Sequence, residues 1–179
     1  MAAHVLILPG WQNSGPGHWQ RLWQARFGAT WVEQHDWMRP LRGDWVARLQ
    51  EVVLDSPTPL VLVAHSLGCH LVAAWAAHSR STARVRAALL VAPPDLAQES
   101  LRSVLPSWSP PVLQALPFRS TLLASDNDPY CSPNRASQFA DAWGAQQHTL
   151  HNAGHINADS GLGDWPQGQA WLQQLMTPP

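Results

Sequence analysis

The chain has 179 residues, 45% of them hydrophobic, enough for one domain-sized core without disulfide or metal staples. The formal net charge is -1, only 13% of residues are charged, and all eleven basic residues are scattered arginines, which excludes the basic footprint of a nucleic-acid or anionic-membrane binder. Two cysteines are too few for a secreted disulfide framework, no apolar run approaches the ~18 residues of a membrane span, and the first apolar run lacks a signal peptide's charged front; the expectation is one domain, residues 1–179, in a reducing cytoplasm, with both thiols free.

Short apolar runs alternate with longer stretches of helical periodicity, which predicts an α/β fold with a mainly parallel sheet and helices on both faces. The first strand is predicted over residues 5–8, followed by a loop from Pro9 to Gly15. A helix follows over 17–27, where Trp19, Leu22, Trp23 and Phe27 recur at helical intervals. A strand over 30–34 precedes a second helix carrying Trp45, Leu49, Val52 and Val53 on one face. The third strand, 60–64, leads directly into an almost wholly apolar helix over 67–78, as suits a helix at the centre of the domain. A fourth strand is expected over 87–92. The stretch 93–117 then breaks the rhythm, because Pro106, Pro110 and Pro111 forbid a long helix, leaving a candidate irregular excursion over the site. Strands over 120–124 and 147–150 alternate with helices over 134–143 and 165–175, and no internal repeat is present.

The third strand runs through Ala64-His65-Ser66-Leu67-Gly68 into its helix, the strand-turn-helix setting of a nucleophile elbow. The tight turn demands small residues two before and two after the serine; Gly68 meets this, and Ala64 replaces the commoner glycine. The rival reading of Ser66 is a helix cap. The partners of a serine nucleophile should follow in the order acid, then histidine, at the carboxyl ends of later strands. Ser125-Asp126-Asn127-Asp128-Pro129 follows the fifth strand and Asn152-Ala153-Gly154-His155 the sixth. Of the two carboxylates Asp128 is favoured, lying further past the strand end and before a proline that fixes the backbone; Asp126 reads better as an Asx turn, and Asp95 is a weaker third candidate.

Acyl transfer also needs donors for the developing oxyanion, each worth about 3 kcal/mol. The backbone N–H of Leu67, at the helix N-terminus, and that of Trp11, in the loop after the first strand, are the candidates. Gly10, Trp11 and Asn157 are expected to bind substrate. Nine histidines invite a metal reading, but His148 and His151 face opposite sides of a strand and no His-Glu-x-x-His helix exists, so neither metal nor cofactor is expected. His65 is expected to be structural, turned away from the nucleophile. Of eleven tryptophans, Trp19, Trp23, Trp45 and Trp171 fall on helical core faces, while Trp11, Trp37 and Trp108 in loops are candidates for lining a pocket.

Pro9-Gly10-Trp11 with His18-Trp19, the elbow, Ser125 through Tyr130, and Gly154-His155-Ile156-Asn157 leading to Ser160-Gly161 and Trp165-Pro166 together resemble the small serine-hydrolase family of the YdeN and retinoblastoma-binding protein nine type, over nearly the whole chain. The resemblance implies a reduced α/β-hydrolase core of about six strands in three layers, and a triad on Ser66, Asp128 and His155. It names no substrate. The resulting expectation is hydrolysis of small ester or activated amide substrates by a monomer or weak dimer. The alternatives are a peptidase, lactonase or acyl-transferase using the same side chains, or a protein-interaction module on a hydrolase scaffold.

Overall fold

A computed structural model describes residues 2–178. Its framework is a six-stranded, all-parallel sheet in the order β2-β1-β3-β4-β5-β6. The strands are β1 (His4–Leu8), β2 (Thr30–Trp31), β3 (Leu60–His65), β4 (Val85–Val91), β5 (Arg119–Ser125) and β6 (Gln146–Leu150). The central runs 60–64 of β3 and 87–91 of β4 are wholly apolar because both faces are covered. In β3, Leu60, Leu62 and Ala64 face one core while Val61 and Val63 face the other.

Helices α1 (Trp19–Phe27) and α6 (Pro166–Met176) cover one face through Trp19, Trp23, Leu172 and Leu175. On the opposite face lie α2 (Arg42–Asp55), α3 (Leu67–His78) and α5 (Pro133–Trp143), through Trp45, Leu71, Trp75, Phe139 and Trp143. This is a three-layer arrangement. Local signals set several helix ends: the Ser132 hydroxyl accepts from the Arg135 N–H with Pro133 in the first turn, and Gly144 closes α5 at φ 68°, a left-handed position that favours glycine.

One sequence expectation is corrected. The second strand was expected over 30–34, but only Thr30–Trp31 pair regularly with β1; the Val32 N–H still donates to Ile7, after which the chain leaves the sheet edge. Residues 93–117 hold no long helix, as their prolines require. They contain a single turn of helix, α4 (Glu99–Arg102), and a 3-10 turn at Pro106–Trp108, and Ser107 and Trp108 bond the Pro40 carbonyl.

The connection from β1 to β2 steps toward one edge and the chain then crosses back to β3, so the loop after β1 and the turn after β3 meet at a topological switch point. Open α/β sheets bind ligands there.

Candidate active site

Ser66 occupies φ 56°, ψ -123°, a conformation that non-glycine residues adopt only at a cost of about 1–3 kcal/mol. Tight packing around the turn holds it there. A Cβ on Gly68 would run into the Leu8 carbonyl oxygen, and one on Gly10 would lie 2.9 Å from the Ser66 Cβ and 3.2 Å from the Leu67 nitrogen. The loop after β1 therefore lies directly against the elbow, and both glycines are sites of close approach. Ser66 makes no capping bond to its helix. Its hydroxyl instead donates to His155 Nε2 at 2.9 Å.

His155 Nδ1–H faces both carboxylate oxygens of Asp128, at 3.1 and 3.0 Å. The pair is secluded, with side-chain exposures of 11% for His155 and 3% for Asp128. Asp128 also accepts from the Tyr130 N–H at 2.9 Å, and the Tyr130 ring lies edge-on to His155. The structure thus brings Ser66, His155 and Asp128 into one hydrogen-bonded chain. Asp126 is elsewhere: it accepts from the Asn152 N–H at 2.8 Å and from His151 Nδ1 at 2.6 Å, bonds that in that order hold its carboxyl below the usual carboxylate range. Asp95 pairs with Arg135 at 3.2 Å.

Leu67 and Trp11 both line a cavity of about 370 Å³ at Ser66, and the backbone N–H of neither donates a hydrogen bond among the described residues. Gly10, Trp11 and Asn157 line the same cavity. The Asn157 side chain is also tied down, accepting from the Asp159 N–H at 3.1 Å. Trp37 and Trp108 do not line it: Trp37 packs on Trp45, and Trp108 is buried with its indole N–H donating to the Pro40 carbonyl.

Several residues that sequence reasoning passed over position this chain. Asn127 Oδ1 accepts from the Gly154 N–H and the Ser125 hydroxyl, both at 2.8 Å, while Ser125 Oγ accepts from the Ala153 N–H at 2.9 Å. His65 makes no hydrogen bond to the Ser66 hydroxyl, but it is not idle. Its Nε2–H donates to the His155 carbonyl at 2.9 Å, and its ring stands 4.7 Å from that of His18. His18 caps α1, its Nδ1 accepting from the Gln20 N–H, so its proton sits on Nε2, which has no partner among the described residues. Burial, then the nearby His155, lowers the pKa of His18 to about 4 and that of His65 well below the ordinary histidine range. Both imidazoles are therefore neutral at pH 7.

Cys69 and Cys131 are buried and unpaired; burial raises the Cys69 thiol pKa and takes Cys131 to about 12. His148 lies tilted against Trp171 and His151 binds Asp126; among the described residues no three His, Cys, Asp or Glu side chains gather as a metal site requires. No helix among the described residues is long and apolar enough to cross a membrane.

A strained serine between strand and helix, in a parallel sheet with helices on both faces, defines the α/β-hydrolase class. The chain matches the serine hydrolase family over residues 5–174 and belongs to it. It is similar to a protein described as a YdeN-like hydrolase from Pectobacterium atrosepticum, 26% identical with a TM-score of 0.81, over 98% of this chain and 94% of that one. The ydeN gene product of Bacillus subtilis shares the fold at 19% identity and a TM-score of 0.80, over 97% and 98% of the two chains. A carboxylesterase of Bacillus subtilis shares it at 14% identity and 0.62, over 97% and 82%. No curated protein sequence matches the chain.

Proposed function

We propose that this hydrolase is carboxylesterase-like, cleaving small ester or activated amide substrates through Ser66, His155 and Asp128. The observation that carries the reading is the unbroken run of hydrogen bonds from the Ser66 hydroxyl through both ring nitrogens of His155 to the Asp128 carboxylate. His155 Nε2 takes the Ser66 proton as Oγ attacks the substrate carbonyl carbon, and Asp128 stabilises the imidazolium. The oxyanion falls to the N–H groups of Leu67 and Trp11, each worth about 3 kcal/mol in the transition state. The imidazolium then protonates the leaving oxygen or nitrogen, its bond to the carbonyl carbon breaks, and the acyl group stays on Ser66. A water gives its proton to Nε2, attacks the acyl carbon and releases the acid as the proton returns to Oγ. The neutral state of His18 and His65 supports the assignment, since among these three clustered imidazoles only His155 has a carboxylate partner for its charged form.

The direct test is labelling by a fluorophosphonate probe alongside turnover of p-nitrophenyl acetate. Both should be present in the wild type and lost in Ser66→Ala, with turnover also lost in His155→Ala. Labelling that persists in Ser66→Ala would overturn the nucleophile, and equal turnover in all three proteins would overturn the enzyme reading.

A further inference from the structure

The walls of the cavity at Ser66 divide by chemistry. On one side Pro94, Leu101 and Leu105 present hydrocarbon, supplied by the excursion between β4 and β5. Leu101 and Leu105 are 5% and 2% exposed and belong to the same apolar cluster as Leu67, with Trp11 packed against it, so this wall is continuous with the two candidate oxyanion donors. On the other side His18 lies against Trp19 of the opposite apolar cluster, and with Asn13, Ser14 and Asn157 it lines the cavity with imidazole, amide and hydroxyl groups, the Ser14 hydroxyl already donating to Gln20 Oε1 and leaving its oxygen as an acceptor. That side leads to the general base: the His18 ring stands 4.7 Å from His65, and His65 stands 4.9 Å from His155.

None of the lining side chains is Lys, Arg, Asp or Glu. Burial keeps His18 and His65 uncharged at pH 7. Of the charges nearby, Asp128 is committed to His155 and Arg135 to Asp95, and Arg21, which donates to the Ser14 carbonyl, does not line the cavity. A carboxylate, phosphate or ammonium entering the cavity would lose hydration without meeting a counter-charge. A volume of about 370 Å³ lies at the small end of ligand pockets.

The leaving group must sit where His155 can protonate it, on the polar side; the acyl group is then directed to the leucines. Resting on the serine-hydrolase reading above, we infer that the substrates are neutral esters of a short, unbranched acyl group, held against Leu101 and Leu105, with an uncharged polyol held along Asn13, Ser14, His18 and Asn157. The His18 Nε2–H, buried and without a partner among the described residues, is the donor that an oxygen of such an alcohol would satisfy.

Two substrate series on the full chain test this, read as kcat/KM. Glycerol monoesters from acetate to decanoate should peak near about four to six carbons, as a pocket of this size allows. Glycerol butyrate should exceed both butyrylcholine and the butyrate ester of glycolate at least tenfold. Leu101→Trp should lower the hexanoyl-to-acetyl ratio about tenfold, the scale set by crowding out a methylene or two, and Leu105→Ala should raise the decanoyl-to-butyryl ratio. The ratio in either folded variant, checked by circular dichroism, suffices. Charged butyrates turned over as fast as glycerol butyrate, or chain-length ratios unmoved in both leucine variants, would overturn the inference while leaving the esterase reading standing. Absence of Ser66-dependent turnover with every ester would overturn both.

Discussion

Asn127 reaches from the loop after β5 and accepts the backbone N–H of Gly154, next to His155, at 2.8 Å. It also accepts the Ser125 hydroxyl, whose oxygen takes the Ala153 N–H, so the loop carrying Asp128 and the loop carrying His155 are stitched beside the pair they present. Asn127→Ala strips the acceptor and leaves the Gly154 N–H without its protein partner. Small displacements of a catalytic group carry large rate costs. The expected result is a fall in kcat of about tenfold or more with a smaller change in KM, and partial recovery in Asn127→Asp, which retains an acceptor. Steady-state kinetics on p-nitrophenyl acetate decide it; a loss confined to KM would mean that the stitch does not position His155.

The two neighbouring carboxylates should separate cleanly under isosteric substitution. Asp128 faces His155 Nδ1 with both oxygens, whereas Asp126 binds His151 and the Asn152 N–H at the exposed end of β6. Asp128→Asn should reduce kcat by on the order of 10³–10⁴, the cost of losing the tautomer and the imidazolium's partner in triads of this kind. Asp126→Asn should lower kcat less than tenfold, because its bonds fasten a turn rather than the base. A larger effect at residue 126 than at residue 128 would reverse the assignment.

Gly10 should be intolerant for a reason visible at the elbow. A Cβ there meets the Ser66 Cβ at 2.9 Å, the His65 carbonyl at 3.0 Å and the Leu67 nitrogen at 3.2 Å, two of the three being backbone atoms that cannot swing aside. Gly10→Ala must push the Trp11 peptide from the position that makes its N–H useful. Overpacking costs about 1–3 kcal/mol of stability, and loss of one oxyanion donor about 10²–10³ in kcat. Thermal melting and kinetics measured together should show the activity loss far exceeding the fraction unfolded.

How far all this could be read in the residues depended on whether a feature is local. Runs such as residues 60–64 are apolar throughout because both faces of a parallel strand are covered, and they alternate with stretches of helical periodicity, so the fold class followed from pattern alone. The elbow and the two later loops were legible because each sits just past a strand. The stitching was not: Ser125 and Asn127 look like ordinary turn formers, and nothing in their neighbourhood reveals that their partners are at 153 and 154. Tryptophans misled for the same reason. Trp108 lies in an irregular segment, yet is buried on Pro40, a contact spanning 68 positions. Trp19 and Trp23 fill the core as their helical spacing suggests, but their indole N–H groups also bind the Ile156 and Asp164 carbonyls, anchoring the segment that follows His155.

Buried neutral histidines make stability depend on pH in a defined window. His18 and His70 have pKa values lowered by burial to about 4, and His65 lies well below its ordinary value. In the unfolded chain all three titrate near 6.5. Between that value and the folded ones the unfolded state binds protons that the native state refuses, so stability falls as pH falls, by about 1.4 kcal/mol per unit for each group. His70 is outside the chain of Ser66, His155 and Asp128, its Nε2–H donating to the Pro94 carbonyl and its ring edge-on to Phe139 and Trp143. His70→Phe should therefore flatten the slope of unfolding free energy between pH 6.5 and about 4.5 by roughly a third, whatever it does to absolute stability. Urea titrations at four or five pH values suffice; an unchanged slope would mean that His70 accepts a proton in the fold.

The strained serine gives a test that separates stability from activity. Ser66→Ala and Ser66→Gly both remove the hydroxyl and its bond to His155, but only glycine relaxes a backbone at φ 56°, ψ -123°. Relief of about 1–3 kcal/mol is offset in part by the greater freedom of glycine in the unfolded chain, about 0.5–1 kcal/mol. The glycine variant should consequently be the more stable of two inactive proteins by about 1 kcal/mol, or about 2–4 °C in melting temperature for a chain of this length. A glycine variant melting below the alanine variant would show that the turn imposes no strain on residue 66, and that its conformation there is set by something other than the demand to expose a nucleophile.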